Sequence, residues 1–350
     1  MANSILDKII PWRSSDKLSE HANARLPLPP QRLNHEGKER RVGVEFEFTG
    51  LSMEQIARLV RDTVGGQIDP VSPYEYEVLN TPVGDFKVEL DYAYLKKLGR
   101  REHRGEDVIE RLSEDMLAAV AKQVVPFEIV CPPIAISELG VLEDLVAALR
   151  KAGARGTEDS PLYAFGMHFN QELPALDATT IRDYLRAYIV LFEWIKDVSE
   201  VDISRRVFPY IQPYTKDYNR LVSAPEYAPN MDQLIDDYLE HNPTRNRALD
   251  MLPLFSHIDA ERVSAVVDDG LVNARPTLHY RLPNCEIQRE DWNIDIAWKH
   301  WLRVEHLLAQ PERLDQACAA YYEHLKVPLS GLMSDWTDKV QPWVCPESAL

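Results

Sequence analysis

Residues 41–48 read Arg-Val-Gly-Val-Glu-Phe-Glu-Phe, a strict alternation of apolar and acidic positions. That period predicts a β-strand with Val44, Phe46 and Phe48 on one face and Glu45 and Glu47 on the other. The same two-faced pattern recurs along the chain. Phe86, Val88 and Leu90 oppose Lys87, Glu89 and Asp91, and with residues 74–79 they predict a hairpin turned near Asn80-Thr81-Pro82. In a strand over residues 163–170, Met167 and Phe169 oppose His168 and Asn170. Over residues 273–287, Pro276, Leu278, Tyr280 and Leu282 oppose Arg275, Thr277, His279 and Arg281. Residues 126–133 form a short apolar run interrupted by Glu128, and a lone carboxylate in such a run needs a cation, a hydrogen-bonding partner or exposure.

Between these strands the period changes to that of amphipathic helices. Residues 51–64 predict one, with Ser52 as its N-cap and Gly65-Gly66 as its stop. Residues 137–153 carry a stripe of Leu139, Leu142, Leu145, Val146 and Leu149, and residues 291–308 one of Ile294, Ala297, Trp298, Trp301 and Leu302. Further helices are predicted over 108–123, 179–200, 231–240 and 314–325. The segment 202–228, rich in Pro, Tyr and Arg, reads as irregular chain, either a binding loop or a surface excursion. Residues 1–40 read as an extended arm laid across the body, and 327–350 as a tail. The predicted fold is α+β: a curved antiparallel sheet with helices packed on its apolar face. One catalytic domain would span 41–326, with a mainly helical insertion at about 179–260.

Composition narrows the function. A chain of 350 residues, 45% hydrophobic, has material for a sizeable core, and its net charge of −17 excludes nucleic acid as the expected partner. No apolar run approaches membrane-spanning length and the start of the chain has no signal-peptide pattern, so a cytoplasmic enzyme without membrane contact is expected. Cys131, Cys285, Cys318 and Cys345 fit no zinc or redox spacing and read as free thiols.

The chemistry lies on the polar strand faces. Glu45 and Glu47, roughly 6.6 Å apart on one face, suit either a solvated surface or two adjacent hard cations. A sheet would gather them with Glu128, His168, Asn170, Lys87, Arg275, His279 and Arg281 on one concave face. Arg245 and Arg247, beside the apolar stretch 248–255, suit either an anion site or the solvated end of a core helix. Carboxylates with histidine fit Mg²⁺ or Mn²⁺, and arginines fit phosphate or carboxylate oxygens. No Walker-type glycine loop is present, so a nucleotide would sit on the sheet itself.

Five stretches, in order, resemble the amidoligase family, within the superfamily of carboxylate–amine ligases that includes glutamine synthetase and glutamate–cysteine ligase. They are Val42-Gly43-Val44-Glu45-Phe46-Glu47-Phe48, Val88-Glu89-Leu90-Asp91, Glu128-Ile129-Val130-Cys131-Pro132-Pro133, Gly166-Met167-His168-Phe169-Asn170 and Leu278-His279-Tyr280-Arg281-Leu282-Pro283-Asn284. The resemblance implies a glutamine synthetase-like catalytic fold and an ATP- and Mg²⁺-dependent ligase that joins a carboxylate to an amine through an acyl phosphate. Glu45, Glu47, Glu128 and His168 would then hold metal, with His279 standing where the superfamily has a metal-binding Glu. Lys87, His168, Asn170, Arg245, Arg247 and Arg275 would meet the nucleotide. Arg281 would stabilise the phosphoryl group, and Asp91 would orient substrate or accept the amine proton. The alternatives are a phosphotransferase or metal-dependent hydrolase on the same scaffold, or a non-catalytic nucleotide-binding relative.

Overall fold

A computed structural model describes residues 26–72, 74–90, 125–157, 165–200, 211–327 and 336–350. Its strands are β1 (Arg41–Phe48), β2 (Gln67–Ser72), β3 (Glu75–Leu79), β4 (Phe86–Leu90), β5 (Phe127–Val130), β6 (Ile134–Ala135), β7 (Met167–Gln171), β8 (Leu249–Asp250) and β9 (His279–Tyr280). Its helices are α1 (Met53–Val64), α2 (Val141–Ala152), α3 (Ala178–Val198), α4 (Lys216–Ser223), α5 (Met231–His241), α6 (Leu252–Ile258), α7 (Ala260–Ser264), α8 (Ile294–Leu308), α9 (Pro311–Lys326) and α10 (Trp336–Lys339). The strands form one open, curved sheet in the order β2-β3-β4-β5-β1-β7-β9-β8, with β6 beside β1, and all their pairings are antiparallel. The architecture is α+β.

Alternation decides which face the helices cover. Val88, Ile129, Phe46 and Met167 are register neighbours across β4, β5, β1 and β7, and all four are buried. Helix α1, capped by Ser52 and Gln55 in a reciprocal capping box and stopped at Gly65, packs on the β2–β4 half and against α2. Helices α3 and α8 cover the other half, where Phe169 of β7 meets Trp298 at 5.7 Å, and Tyr280 of β9 meets Tyr188 at 6.0 Å and Trp301 at 5.1 Å. The opposite face of the sheet keeps its charged side chains.

The described part of the N-terminal segment lies on α8, where Pro27 accepts a hydrogen bond from the Trp298 indole at 2.8 Å. Just before β1, Arg40 is buried in a two-pronged ion pair with Glu305 of α8, at 2.8 and 3.1 Å. Tyr184 and Trp301 complete the carboxylate's partners. No described helix is long and apolar enough to cross a membrane, and all four cysteines are buried thiols outside disulfides.

The sequence pattern misplaces several elements. Strand β2 was not expected, because Pro70 and a mostly exposed run carry no alternation; it forms as an edge strand with a register shift at Pro70/Ser72. The long strand expected over 273–287 shrinks to His279–Tyr280. Pro276 and Pro283 lack ladder donors, and flanking residues make only single bridges, such as Thr277 with Glu172. Within the segment read as irregular, α4 forms behind a Thr215 N-cap. In the expected helical insertion, Leu249–Asp250 returns to the main sheet beside β9. The helix expected at 108–123 lies outside the described residues, as does Asp91.

One close approach ties the chain after α2 to the chain after β9. A Cβ on Gly156 would lie 1.8 Å from the Cys285 carbonyl oxygen. The adjacent Thr157 holds the carbonyls of both Cys285 and Phe165, next to Gly166. Gly156→Ala is therefore expected to lower stability by about 3 kcal/mol, read as a shifted urea midpoint with an unchanged slope. An unchanged midpoint would refute the close approach.

Candidate active site and metal centre

Register places four carboxylates side by side on the polar face: Glu75, Glu89, Glu128 and Glu47, across β3, β4, β5 and β1. Like charges facing each other across strands are destabilising, so such a row needs cations. Lys87 supplies one at the outer end, 3.0 Å from Glu75 and 3.7 Å from Glu89. Burial raises the Glu89 pKa, and the charges of Glu75 and Glu45 add to the rise. At the inner end, Glu47 accepts a hydrogen bond from the Gly166 N–H at 2.6 Å through one oxygen, while its other oxygen lies 3.7 Å from His168 Nε2.

The next row holds Glu45 opposite His168. His168 Nδ1 lies 2.8 Å from Glu45 Oε2, and Asn170 donates to Oε1 at 2.8 Å. His279 Nε2 approaches Oε2 to 3.7 Å, and its Nδ1 lies 3.5 Å from Asp250 of β8. Burial pushes the His168 pKa down against the pull of Glu45 and Glu47, with the charge of Arg281 adding to the fall. Burial would raise the Glu45 pKa, but the two imidazoles more than offset it and hold the carboxyl well below its ordinary value. An ionised carboxylate beside a neutral imidazole is the form of such a pair that metal ligation requires.

Two groups of donors follow: Glu45, His168 and His279, and Glu47, Glu128 and His168, in each of which the ligand atoms lie within 4.8 Å of one another. That spread is about twice a metal–oxygen bond of ~2.1–2.4 Å, so either group is compatible with a divalent ion. Both open into a cavity of about 320 Å³ that Arg245, Arg275 and Arg281 also line, with Arg275 3.8 Å from Glu45. Arg281 donates to the Arg245 carbonyl at 2.9 Å, and Arg275 to Asn170 Oδ1 at 2.6 Å, which holds both guanidinium groups in place. Acids and bases thus line one space.

Residues 38–303 match a family model described as "Putative amidoligase enzyme". The chain belongs to this amidoligase family. Its description is that of an amide-forming ligase. No curated protein and no solved structure matches the chain.

Of the residues singled out in the sequence, Glu45, Glu47, Glu128, Lys87, His168, Arg245, Arg275, His279 and Arg281 line the cavity. Asn170 acts from behind, as a donor to Glu45 and an acceptor for Arg275. Arg247 does not join them. Its guanidinium donates to the carbonyls of Pro213 at 2.7 Å and His241 at 3.3 Å, which ties the end of α5 to the chain before α4. Glu89, on the charged face that the alternation predicts for β4, lines the cavity as well, and so does Asp250, an acid that the sequence pattern does not single out. Asp250 carried a usable signal: like Glu128, it is a lone charge in an apolar run, Leu249 to Phe255.

Proposed function

We propose that this chain is an ATP- and divalent metal-dependent carboxylate–amine ligase with a glutamine synthetase-like catalytic fold, which forms an amide or peptide-like bond through an acyl phosphate. The observation that carries the proposal is a cavity that brings two metal-compatible donor groups together with three arginines. The paired carboxylates of Glu47 and Glu128 suit Mg²⁺ shared with phosphate oxygens, and arginines suit the other phosphate and carboxylate oxygens.

The chemistry needs two transfers. A substrate carboxylate oxygen attacks the γ-phosphorus and ADP leaves; the amine nitrogen then attacks the acyl carbon, and phosphate leaves with the oxygen that the carboxylate gave. Glu45, Glu47, Glu128, His168 and His279 would hold Mg²⁺ or Mn²⁺, which supplies charge neutralisation at the phosphates when bound. Arg281 and Arg275 would meet the charge that builds on the transferring phosphoryl oxygens, with Arg245 beside them. Lys87, 41% exposed at the rim, stands where an incoming phosphate can draw it from its carboxylate partners. The amine must lose a proton. Glu89 lines the cavity with a raised pKa and so suits that role, as does Asp91 farther along the chain. The acid is expected to be of glutamate type or a peptide end, and free buried thiols suit a cytoplasmic setting.

An ATP-consumption screen over pairs of acids and amines, with Mg²⁺ or Mn²⁺, tests this function. ADP is expected only where acid and amine are both present, with an amide formed in equal amount. A phosphorylated product, or hydrolysis indifferent to the amine, would replace the ligase with a phosphotransferase or a hydrolase.

A further inference from the structure

The two donor groups are chemically unlike. Glu47 and Glu128 offer oxygens, whereas Glu45 is met by two imidazoles. Within the ligase proposed above, on which this inference rests for its setting, we propose that the Glu45–His168–His279 group is a resident site selective for a first-row transition ion over Mg²⁺, with Asp250 as the residue that positions His279.

His279 carries the inference. It is 6% exposed, and its Nε2 has no hydrogen-bond partner among the described residues. That nitrogen points at Glu45 Oε2 from 3.7 Å, too far for a hydrogen bond. The other ring nitrogen faces Asp250 at 3.5 Å, and Asp250 is itself buried and fixed by the Leu252 N–H at 3.0 Å. A proton shared with Asp250 leaves the Nε2 lone pair directed at Glu45. The His168 ring stands edge-on to His279, with centroids 5.2 Å apart, so both rings converge on one carboxylate oxygen. The second oxygen of Glu45 is already engaged by Asn170 at 2.8 Å.

A cation at this point needs the His168 proton on Nε2, where Glu47 Oε1 lies 3.7 Å away. Each histidine then gives one nitrogen to the ion and turns the other toward a carboxylate, the arrangement that fixes metal-binding imidazoles. Mg²⁺ holds its water and prefers an oxygen octahedron, while Co²⁺ and Zn²⁺ accept imidazole readily and Mn²⁺ gives up its water for mixed ligands more easily than Mg²⁺ does. A neutral imidazole has one lone pair, so His168 cannot serve both groups at once. With His168 committed to the inner group, Glu47 and Glu128 remain as the oxygen pair for Mg²⁺ arriving with ATP.

The test uses chelator-stripped full-length protein titrated with MnCl₂ or MgCl₂ in the absence of ATP, followed by pulsed EPR of the Mn²⁺-loaded sample. Mn²⁺ is expected to bind about 100-fold or more tightly than Mg²⁺ and to show nitrogen couplings from two imidazoles. His279→Glu should remove one coupling and bring the ratio below about 10, and Asp250→Asn should keep both couplings while weakening Mn²⁺ about 10–100-fold. Equal affinity for the two ions, a wild-type spectrum without nitrogen coupling, or an unchanged ratio in His279→Glu would overturn the inference. The wild-type spectrum decides alone where thermal melts show a variant unfolded. Two-nitrogen Mn²⁺ in a protein that makes no amide would keep this site and sink the ligase; amide formation with an all-oxygen Mn²⁺ would do the reverse.

Discussion

Glu305→Ala is expected to destabilise the fold by about 3–5 kcal/mol, the loss typical when one member of a buried ion pair is removed. Arg40 would be left as a buried charge without its carboxylate, held by the carbonyls of Glu172 and Gln31. The Tyr184 hydroxyl and the Trp301 indole would lose their shared acceptor as well. Since Arg40 joins the start of β1 to α8, the damage falls on the strand that carries Glu45 and Glu47. The pair as a whole contributes much less than its breakage costs, so Arg40→Met combined with Glu305→Leu should recover most of the stability. Urea titrations of the single and double variants measure this. A double variant as unstable as Glu305→Ala would show that packing, and not the uncompensated charge, sets the penalty.

Glu45→Gln is expected to lower ATP turnover about 100-fold or more while the fold survives. The carboxylate has His168, Asn170, His279 and Arg275 around it, the last at 3.8 Å. A glutamine keeps the shape, loses the charge, and turns an NH₂ toward groups that donate. The structural cost is that of one mispaired buried group, about 1–3 kcal/mol. Glu47→Gln should act alike, because it removes a donor of the other group. Turnover unchanged in both variants, measured beside their circular dichroism spectra, would remove the metal role from this strand.

The strand faces were legible because alternation is a local property. Val44, Phe46 and Phe48 are buried and Glu45 and Glu47 are partly exposed, as their order in the chain dictates. The same holds for β4 and for the Ser52-capped helix α1. Cross-strand register is not local, and so the row Glu75–Glu89–Glu128–Glu47 could not be read from the chain, although each acid was visible in it. Arg245 and Arg247 illustrate the same limit: two residues apart on irregular chain, one lines the cavity and the other clamps a helix end. Asp250 escaped notice because its partner, His279, is brought to it only by the short pairing of β8 with β9. Strand β2 and helix α4 form where neighbours supply what the local sequence lacks, an edge to pair with for β2 and a buried face for α4 around Tyr218 and Val222.

Transfer of an oxygen isotope tests the central claim most directly. With the acid substrate labelled by ¹⁸O in its carboxylate, the amide-forming reaction run with ATP and Mg²⁺ should deliver one ¹⁸O to each inorganic phosphate released. Unlabelled phosphate accompanying the amide, or label recovered in AMP, would contradict activation of the carboxylate by phosphoryl transfer in this cavity.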